Sequence, residues 1–349
     1  MTRPRTRVLI CEDSKTFAAA LTRTLEYGGE IEVIGVRATA ESAIDDLQRL
    51  EPDLITMDIE LPGMTGLEAV EQIMSIRPTP ILVLSSHVSD KGNTAAAALA
   101  AGALEALAKD ALSLRDPAAP AAAAFRRRVM LLSRARVIRH PRARLGPRAG
   151  RVPLKPARRG AVVGICASTG GPQALAAVLS AIPADYPVPI LVVQHIAAGF
   201  TEGLARWLDG AVPLPVRLAE DGAPAKAGVS IGPEGAHLVL QAGGSLSLDR
   251  KSPAGLHRPS ADVLLSSIAA NAKGAGIGVV LTGMGRDGAA GIEAIVQARG
   301  LTIAQDEETS AVYGMPREAA KRGAELILPL DEIARVLMTV ALERRRKSR

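Results

Sequence analysis

The chain of 349 residues is poor in cysteine, in aromatic rings and in long apolar runs. Its two cysteines, Cys11 and Cys166, both fall in stretches that read as buried strands. That excludes a disulfide framework and fits a reducing cytoplasm. Seven Phe, Tyr and Trp residues in the whole chain are too few for the stacking platforms of single-strand binders. No recognition helix is evident either, so no nucleic-acid partner is expected. No apolar run approaches the roughly 18 to 20 residues of a membrane helix, so the chain is not expected to insert in a membrane. At the N-terminus, basic residues precede only four apolar ones, Val8 to Cys11, before acids arrive. This is too short for a signal peptide and reads as a first strand.

Charge is abundant but unevenly placed. The formal net charge is +6, yet residues 115–159 hold fourteen Lys and Arg against one acid, and 343–349 add +4, which leaves −11 for the remainder. The two folded parts are therefore acidic. The Ala-, Pro- and Arg-rich stretch 115–159 lacks periodicity and reads as a linker, within which Phe125–Ser133 can form a short helix. Its charge either solubilises it or draws it toward an acidic partner or membrane surface.

On either side of this stretch, short apolar runs alternate with amphipathic ones. Strands are expected at Val8–Cys11, Ile31–Val36, Leu54–Met57, Ile81–Leu84 and Leu104–Leu107, and again at 161–166, 188–193, 277–282, 301–304 and 326–328. Short β-like runs, Val229–Ile231 and Leu238–Leu240, interrupt a Gly- and Pro-rich section. The alternation predicts two α/β domains with parallel, doubly wound sheets. The boundaries expected are 1–114 and 160–342 for the domains, 115–159 for the linker and 343–349 for a basic tail.

In the first domain, Glu12 and Asp13 follow the first strand, Asp58 the third, Ser85 the fourth and Lys109 the fifth. Strand ends of a doubly wound sheet converge on one crevice. Three carboxylates gathered there repel one another unless a hard divalent cation with oxygen ligands joins them. Magnesium with Lys109 could then neutralise a phosphoryl group arriving on Asp58. Residues 7–110 resemble a response-regulator receiver domain, through LICEDS, DLITMDIELPGMTGLE and VLSS. The resemblance implies a flavodoxin-like (βα)5 fold, Asp58 as phosphoacceptor, and Glu12, Asp13 and Asp58 as ligands of Mg2+. It also implies Ser85 and Lys109 as the residues that respond to phosphorylation. Asp110 stands where that family usually has proline.

The second domain opens on AVVGICASTGGP, an apolar strand running into a small-residue turn that presents Ser168 at the start of a helix. An exposed serine beside the first helical amides is how a hydrolase presents a nucleophile next to an oxyanion hole. His195 ends the strand VPILVVQH, and Asp287 lies in the glycine-rich LTGMGRDGAAG. All three follow strand ends, so His195 could act as base and Asp287 could orient it. Backbone amides near Thr169 and Met284 could bind the oxyanion. Taken singly, each residue has another reading: the Ser168 turn as a phosphate cradle, His195 as a structural or metal histidine, Asp287 as the cap of a helix near Ala289. The cradle reading lacks a P-loop lysine and a dinucleotide fingerprint, and the other histidines lack zinc spacing. Cys166 precedes the turn and is a poor candidate nucleophile.

Residues 161–338 resemble the chemotaxis protein-glutamate methylesterases. The match runs through ASTGGPQAL, VVQHIAAGFTEGLARWL, AEDGAPAKAG, HRPSADVLL, LTGMGRDGAAGI and TIAQDEETSAVYGMP. The resemblance implies a Ser168, His195 and Asp287 triad, with oxyanion donors at Thr169 and Met284. It implies hydrolysis of glutamate methyl esters on the cytoplasmic domains of methyl-accepting chemoreceptors, releasing methanol, and deamidation of receptor glutamines at the same sites. Ester hydrolysis would need no cofactor. A chemotaxis histidine kinase would phosphorylate Asp58 and relieve a receiver that covers the esterase site. Cys166 stands where the family usually has glycine, and Ala197–Ala198 replace a step that usually contains proline. A receptor-binding adaptor with a decayed site, and a DNA-binding regulator using the basic linker, are the alternatives from other functional classes.

Overall fold

The alternation read from residues 1–113 folds into one parallel sheet. The computed structural model describes residues 5–86, 92–137, 160–252 and 257–347, and the chain divides into two units. In the first, β1 (Thr6–Cys11), α1 (Lys15–Glu26), β2 (Ile31–Arg37), α2 (Ala40–Leu50), β3 (Leu54–Asp58), α3 (Gly66–Ile76), β4 (Ile81–Ser85), α4 (Gly92–Ala101), β5 (Glu105–Ala108) and α5 (Pro120–Leu132) follow in turn. The strand order is β2-β1-β3-β4-β5, with parallel pairing throughout. β3 and β4 are buried along their whole lengths, as strands covered by helices on both faces must be. α2 shows how those helices attach: Ala40, Ala43, Leu47 and Leu50 recur at three- and four-residue spacing and are its buried face.

α5 corrects the linker expectation. Its buried residues Ala122, Phe125, Val129 and Leu132 form one helical stripe, and Pro120 opens it at a position where a missing N–H costs nothing. Arg126, counted above with the linker's charge, is buried, donates to Thr24 O (3.2 Å) and Pro117 O (2.7 Å), and lies 5.0 Å from the Tyr27 ring centre. Arg128 pairs with Glu105 on β5. The first unit thus extends to Leu132 at least, and 138–159 lies outside the described residues.

The second unit runs β6 (Val162–Ala167), α6 (Gly171–Ser180), β7 (Pro189–Gln194), α7 (Thr201–Ala211), β8 (Val216–Leu218), β9 (Gly228–Ile231), β10 (His237–Leu240), β11 (Leu246–Asp249), α8 (Ala261–Ala272), β12 (Gly276–Val280), α9 (Ala289–Gln297), β13 (Leu301–Gln305), α10 (Met315–Lys321), β14 (Leu326–Leu328) and α11 (Leu330–Lys347). Seven strands form a sheet in the order β14-β13-β12-β6-β7-β9-β8, every pairing parallel. β10 and β11 make a separate antiparallel hairpin. Strands β8 and β11 are additions to the expected set, and the residues read as a basic tail continue α11 as far as Lys347.

The period-two geometry of strands sorts the core into two layers. Val163, Ile165, Ile190 and Val192 belong to one cluster; Val162, Cys166, Leu191 and Val193 belong to the other. Each fully buried Val or Leu contributes about 1.5–3 kcal/mol relative to exposure. Cys166 is one of these core side chains, and burial pushes its thiol well above the ordinary value, so it is inert as a nucleophile.

Candidate active site and phosphoacceptor site

Sheet topology decides where the second unit can gather chemistry. From β6 the chain proceeds to β7 on one side, then returns to β12 on the other, so the carboxyl ends of β6, β7 and β12 flank the switch point. Ser168 follows β6, His195 follows β7, and Thr282 to Asp287 follow β12. The three islands are neighbours because their strands are.

The turn carrying Ser168 is fixed from both sides. Ser168 N donates to Thr282 O (3.0 Å), and Thr282 Oγ1 donates to Thr169 O (2.9 Å) while accepting from Val312 N (2.9 Å). Gln194 Nε2 donates to Ser168 O and to His195 O, each at 2.8 Å, and His195 N donates to Ala167 O (2.9 Å). One side chain at the end of β7 thus ties the serine turn to the histidine. Gly170 caps α6 with φ +71°, the left-handed region that glycine adopts without steric cost. Gly283 is needed for space: a Cβ there would stand 2.7 Å from Ser168 Cβ and 2.5 Å from Met315 Sδ. Thr169 is buried and Met284 half-buried, each on one of the two loops that meet here. Segment 309–315 braces the second loop, with Gly283 N donating to Val312 O (3.0 Å) and Met315 N to Gly283 O (2.8 Å).

His195 Nε2 lies 2.9 Å from Asp287 Oδ2, and both side chains are largely shielded from water. With Nε2 facing the carboxylate, the basic nitrogen is Nδ1. Both ring nitrogens are buried and neither has a well-aligned hydrogen-bond partner among the described residues, the Nε2–Oδ2 approach being a close contact of opposite charge when the imidazole is protonated. Asp287 is held by the start of α8. Ser260 Oγ (2.9 Å) and Asp262 N (2.9 Å) donate to its Oδ1, and Ala261 N donates to its Oδ2 (2.8 Å). Burial alone would raise its pKa, but the His195 contact and the Asp262 and Ala261 amides hold it well below the usual carboxylate range. Asp262 returns the arrangement, accepting from Gly288 N (2.9 Å) and Gly291 N (2.8 Å) at the start of α9. Burial, with the Asp287 charge adding to it, raises the Asp262 pKa. Two helix N-termini therefore each bind the other's carboxylate, where positive ends of helix dipoles favour negative charge. Asp287 thus serves the start of α8 and not, as expected, the cap of α9: the N-cap there is Gly288 with no side-chain cap, and Gly288 N reaches Asp287 Oδ1 (3.1 Å) from the residue just before the helix.

The residues of this site to which sequence reasoning gave no role are Gln194, Ser260, Asp262 and His257. His257 stacks on His195 with ring centres 4.0 Å apart and planes 14° from parallel. The motif HRPSADVLL was visible, but which residue it would touch was not.

The first unit gathers its residues at its own switch point, between β1 and β3. Ligand atoms of Glu12, Asp13 and Asp58 lie within 4.8 Å of one another. Lys109 Nζ reaches Glu12 Oε2 (2.6 Å) and Asp58 Oδ2 (2.7 Å), so Asp110 in place of proline does not withdraw it. Burial raises the Glu12 and Asp58 pKa values against the opposing effect of Lys109. One ammonium does not offset three carboxylates. Such a set of oxygen donors fits a hard divalent cation. Ser85 is buried at the end of β4, paired in register with Ala108, the residue before Lys109.

Comparison with known proteins agrees with this division. The CheB methylesterase family matches residues 163–337, and the response regulator receiver domain family matches 8–115. A protein-glutamate methylesterase/protein-glutamine glutaminase of Anaeromyxobacter dehalogenans is 44% identical over 95% of this chain and 96% of its own length. One from Myxococcus xanthus is 42% identical over 89% of both. The CheB methylesterase catalytic domain of Thermotoga maritima, as a crystal structure, covers 52% of this chain and 100% of itself at 39% identity, with a TM-score of 0.51.

Proposed function

The chain belongs to the CheB family of receiver-linked protein-glutamate methylesterases, and from this we propose a residue-level account of how it works. It is a phosphorylation-regulated methylesterase and glutaminase of chemotaxis-type signalling. Its substrates in this reading are glutamate methyl esters and glutamines on the cytoplasmic domains of chemoreceptors, and its place is the cytoplasm. Among the described residues no helix is long and apolar enough to cross a membrane.

The observation that carries the mechanism is the Asp287–His195 contact beside the Ser168 turn. Ser168 Oγ attacks the ester carbonyl carbon as His195 Nδ1 takes its proton. Asp287 stays ionised, holds Nε2–H and stabilises the imidazolium. The amides of Thr169 and Met284 donate to the oxyanion, where developing charge is worth most to stabilise. The C–OCH3 bond then breaks and methanol leaves with the proton from His195; from glutamine, ammonia leaves instead. Water, deprotonated by His195, attacks the acyl-enzyme and frees Ser168 and glutamate.

Regulation rests on the first unit. A histidine kinase transfers phosphate to Asp58, and Lys109 and Ser85 read the modified carboxylate. Glu12, Asp13 and Asp58 would hold Mg2+, which when bound neutralises the charge of the transferring phosphoryl group. The test is methanol and ammonia release from a methylated, glutamine-bearing receptor fragment, with and without a small-molecule phosphodonor. Release of both, stimulated by the donor, is expected; release of neither would overturn the reading.

A further inference from the structure

Of the two imidazoles stacked at the switch point, His195 is the base of the mechanism above and His257 has no part in it. We infer that His257 is a positioning residue that clamps the face of the His195 ring, and so keeps Nε2 on Asp287 while Nδ1 stays aimed for proton transfer. The inference rests on the reading of Ser168 and His195 as nucleophile and base.

An imidazole hinged at Cβ has a ring torsion that one hydrogen bond only partly restrains. Asp287 Oδ2 stands 2.9 Å from Nε2 without the alignment of a hydrogen bond, and Nδ1 has no hydrogen-bond partner among the described residues, so neither nitrogen stops the ring from rocking. The His257 ring, 4.0 Å away and inclined by 14°, supplies that restraint across the ring face. His257 is itself exposed, so its stack is a contribution to His195 rather than to core packing. The same short segment also fixes the carboxylate: Ser260 Oγ, Ala261 N and Asp262 N all donate to Asp287. Its register is pinned in turn where Ser260 N donates to His237 Nδ1 (3.2 Å) and Arg258 Nη1 donates to Arg250 O (3.0 Å). Base and orienting acid therefore take their positions from one stretch of backbone, His257 to Asp262.

A stacked aromatic pair corresponds to about a threefold to tenfold effect on a rate it supports. The experiment uses the full chain and methanol release from a methylated receptor fragment, with His257→Ala, His257→Phe and Ser168→Ala side by side. Expected for His257→Ala is a kcat lower by about that factor with KM unchanged. His257→Phe, which keeps a flat ring without nitrogens, recovers most of the lost rate. An unchanged kcat in His257→Ala overturns the inference. So does a raised KM alone, which would make His257 a substrate contact, or an equal loss in the Ala and Phe variants, which would assign the work to its nitrogens. Failure of the underlying reading is separate: it would show as methanol release persisting in Ser168→Ala.

Discussion

Replacing Asp287 with asparagine is a test whose outcome can be worked oxygen by oxygen. Oδ1 accepts from Ser260 Oγ, Asp262 N and Gly288 N; Oδ2 accepts from Ala261 N and faces His195 Nε2. Asparagine keeps one oxygen. If that oxygen sits at Oδ2, the amide nitrogen opposes the Asp262 and Gly288 N–H groups, while the Ser260 hydroxyl can rotate to accept. If it sits at Oδ1, only one backbone donor, Ala261 N, loses its acceptor. The second arrangement is the better one, at a cost of about 1–3 kcal/mol for the stranded donor. The amide then donates to Nε2, which moves the imidazole proton to Nδ1. A protonated Nδ1 cannot take the proton of Ser168, and a tautomer error of this kind costs about 10⁴ in kcat. Methanol release gives the rate. Urea unfolding followed by Trp207, the chain's single tryptophan, gives the stability, because that residue packs on the core of the catalytic unit. A folded Asp287→Asn protein turning over at the native rate would refute the reasoning.

Other expectations follow from the same geometry. The depressed Asp287 pKa means that its stabilisation is fully present above the unfolded value of about 3.9 and is lost as pH falls toward the folded one. The stability gap between native protein and Asp287→Asn should therefore hold from pH 6 to about pH 4 and shrink as pH falls below that in Trp207-monitored unfolding; a gap that stays constant below about pH 4 would contradict it. Gly283→Ala forces a Cβ against Ser168 and Met315 and should cost about 1–3 kcal/mol together with most of the activity; unfolding midpoints and methanol release check both. Asp58→Asn should abolish stimulation by a small-molecule phosphodonor, and chelation of divalent cations should do the same to the unaltered protein, each read as the ratio of stimulated to unstimulated methanol release.

The sheets were legible because buried strands announce themselves as apolar runs, from Val8–Cys11 to Ile277–Val280. β8 and β11 escaped because both are short, mostly half-exposed and interrupted by polar residues, Arg217 in one and Ser247 and Asp249 in the other. α5 was half hidden: its arginines look like linker charge, yet Phe125, Val129 and Leu132 at four- and three-residue intervals already mark a helical face. Each triad candidate could be named because each follows a strand, and parallel topology gathers strand ends. The contacts that tune them were not legible. Ser260 on Asp287 and Asp262 on Gly288 bridge 25 or more residues, and no local spacing encodes such distant pairs. A capping serine at position 260 was the available signal, and it says where α8 starts without saying whose carboxylate it greets.

The most direct test of the central claim is to trap the nucleophile. Treating the full chain with a serine-directed fluorophosphonate and mapping the adduct by peptide mass spectrometry should place it on Ser168, with methanol release falling in proportion to the fraction modified. An adduct on another residue that tracks the loss of activity, or full activity with Ser168 modified, would contradict the account.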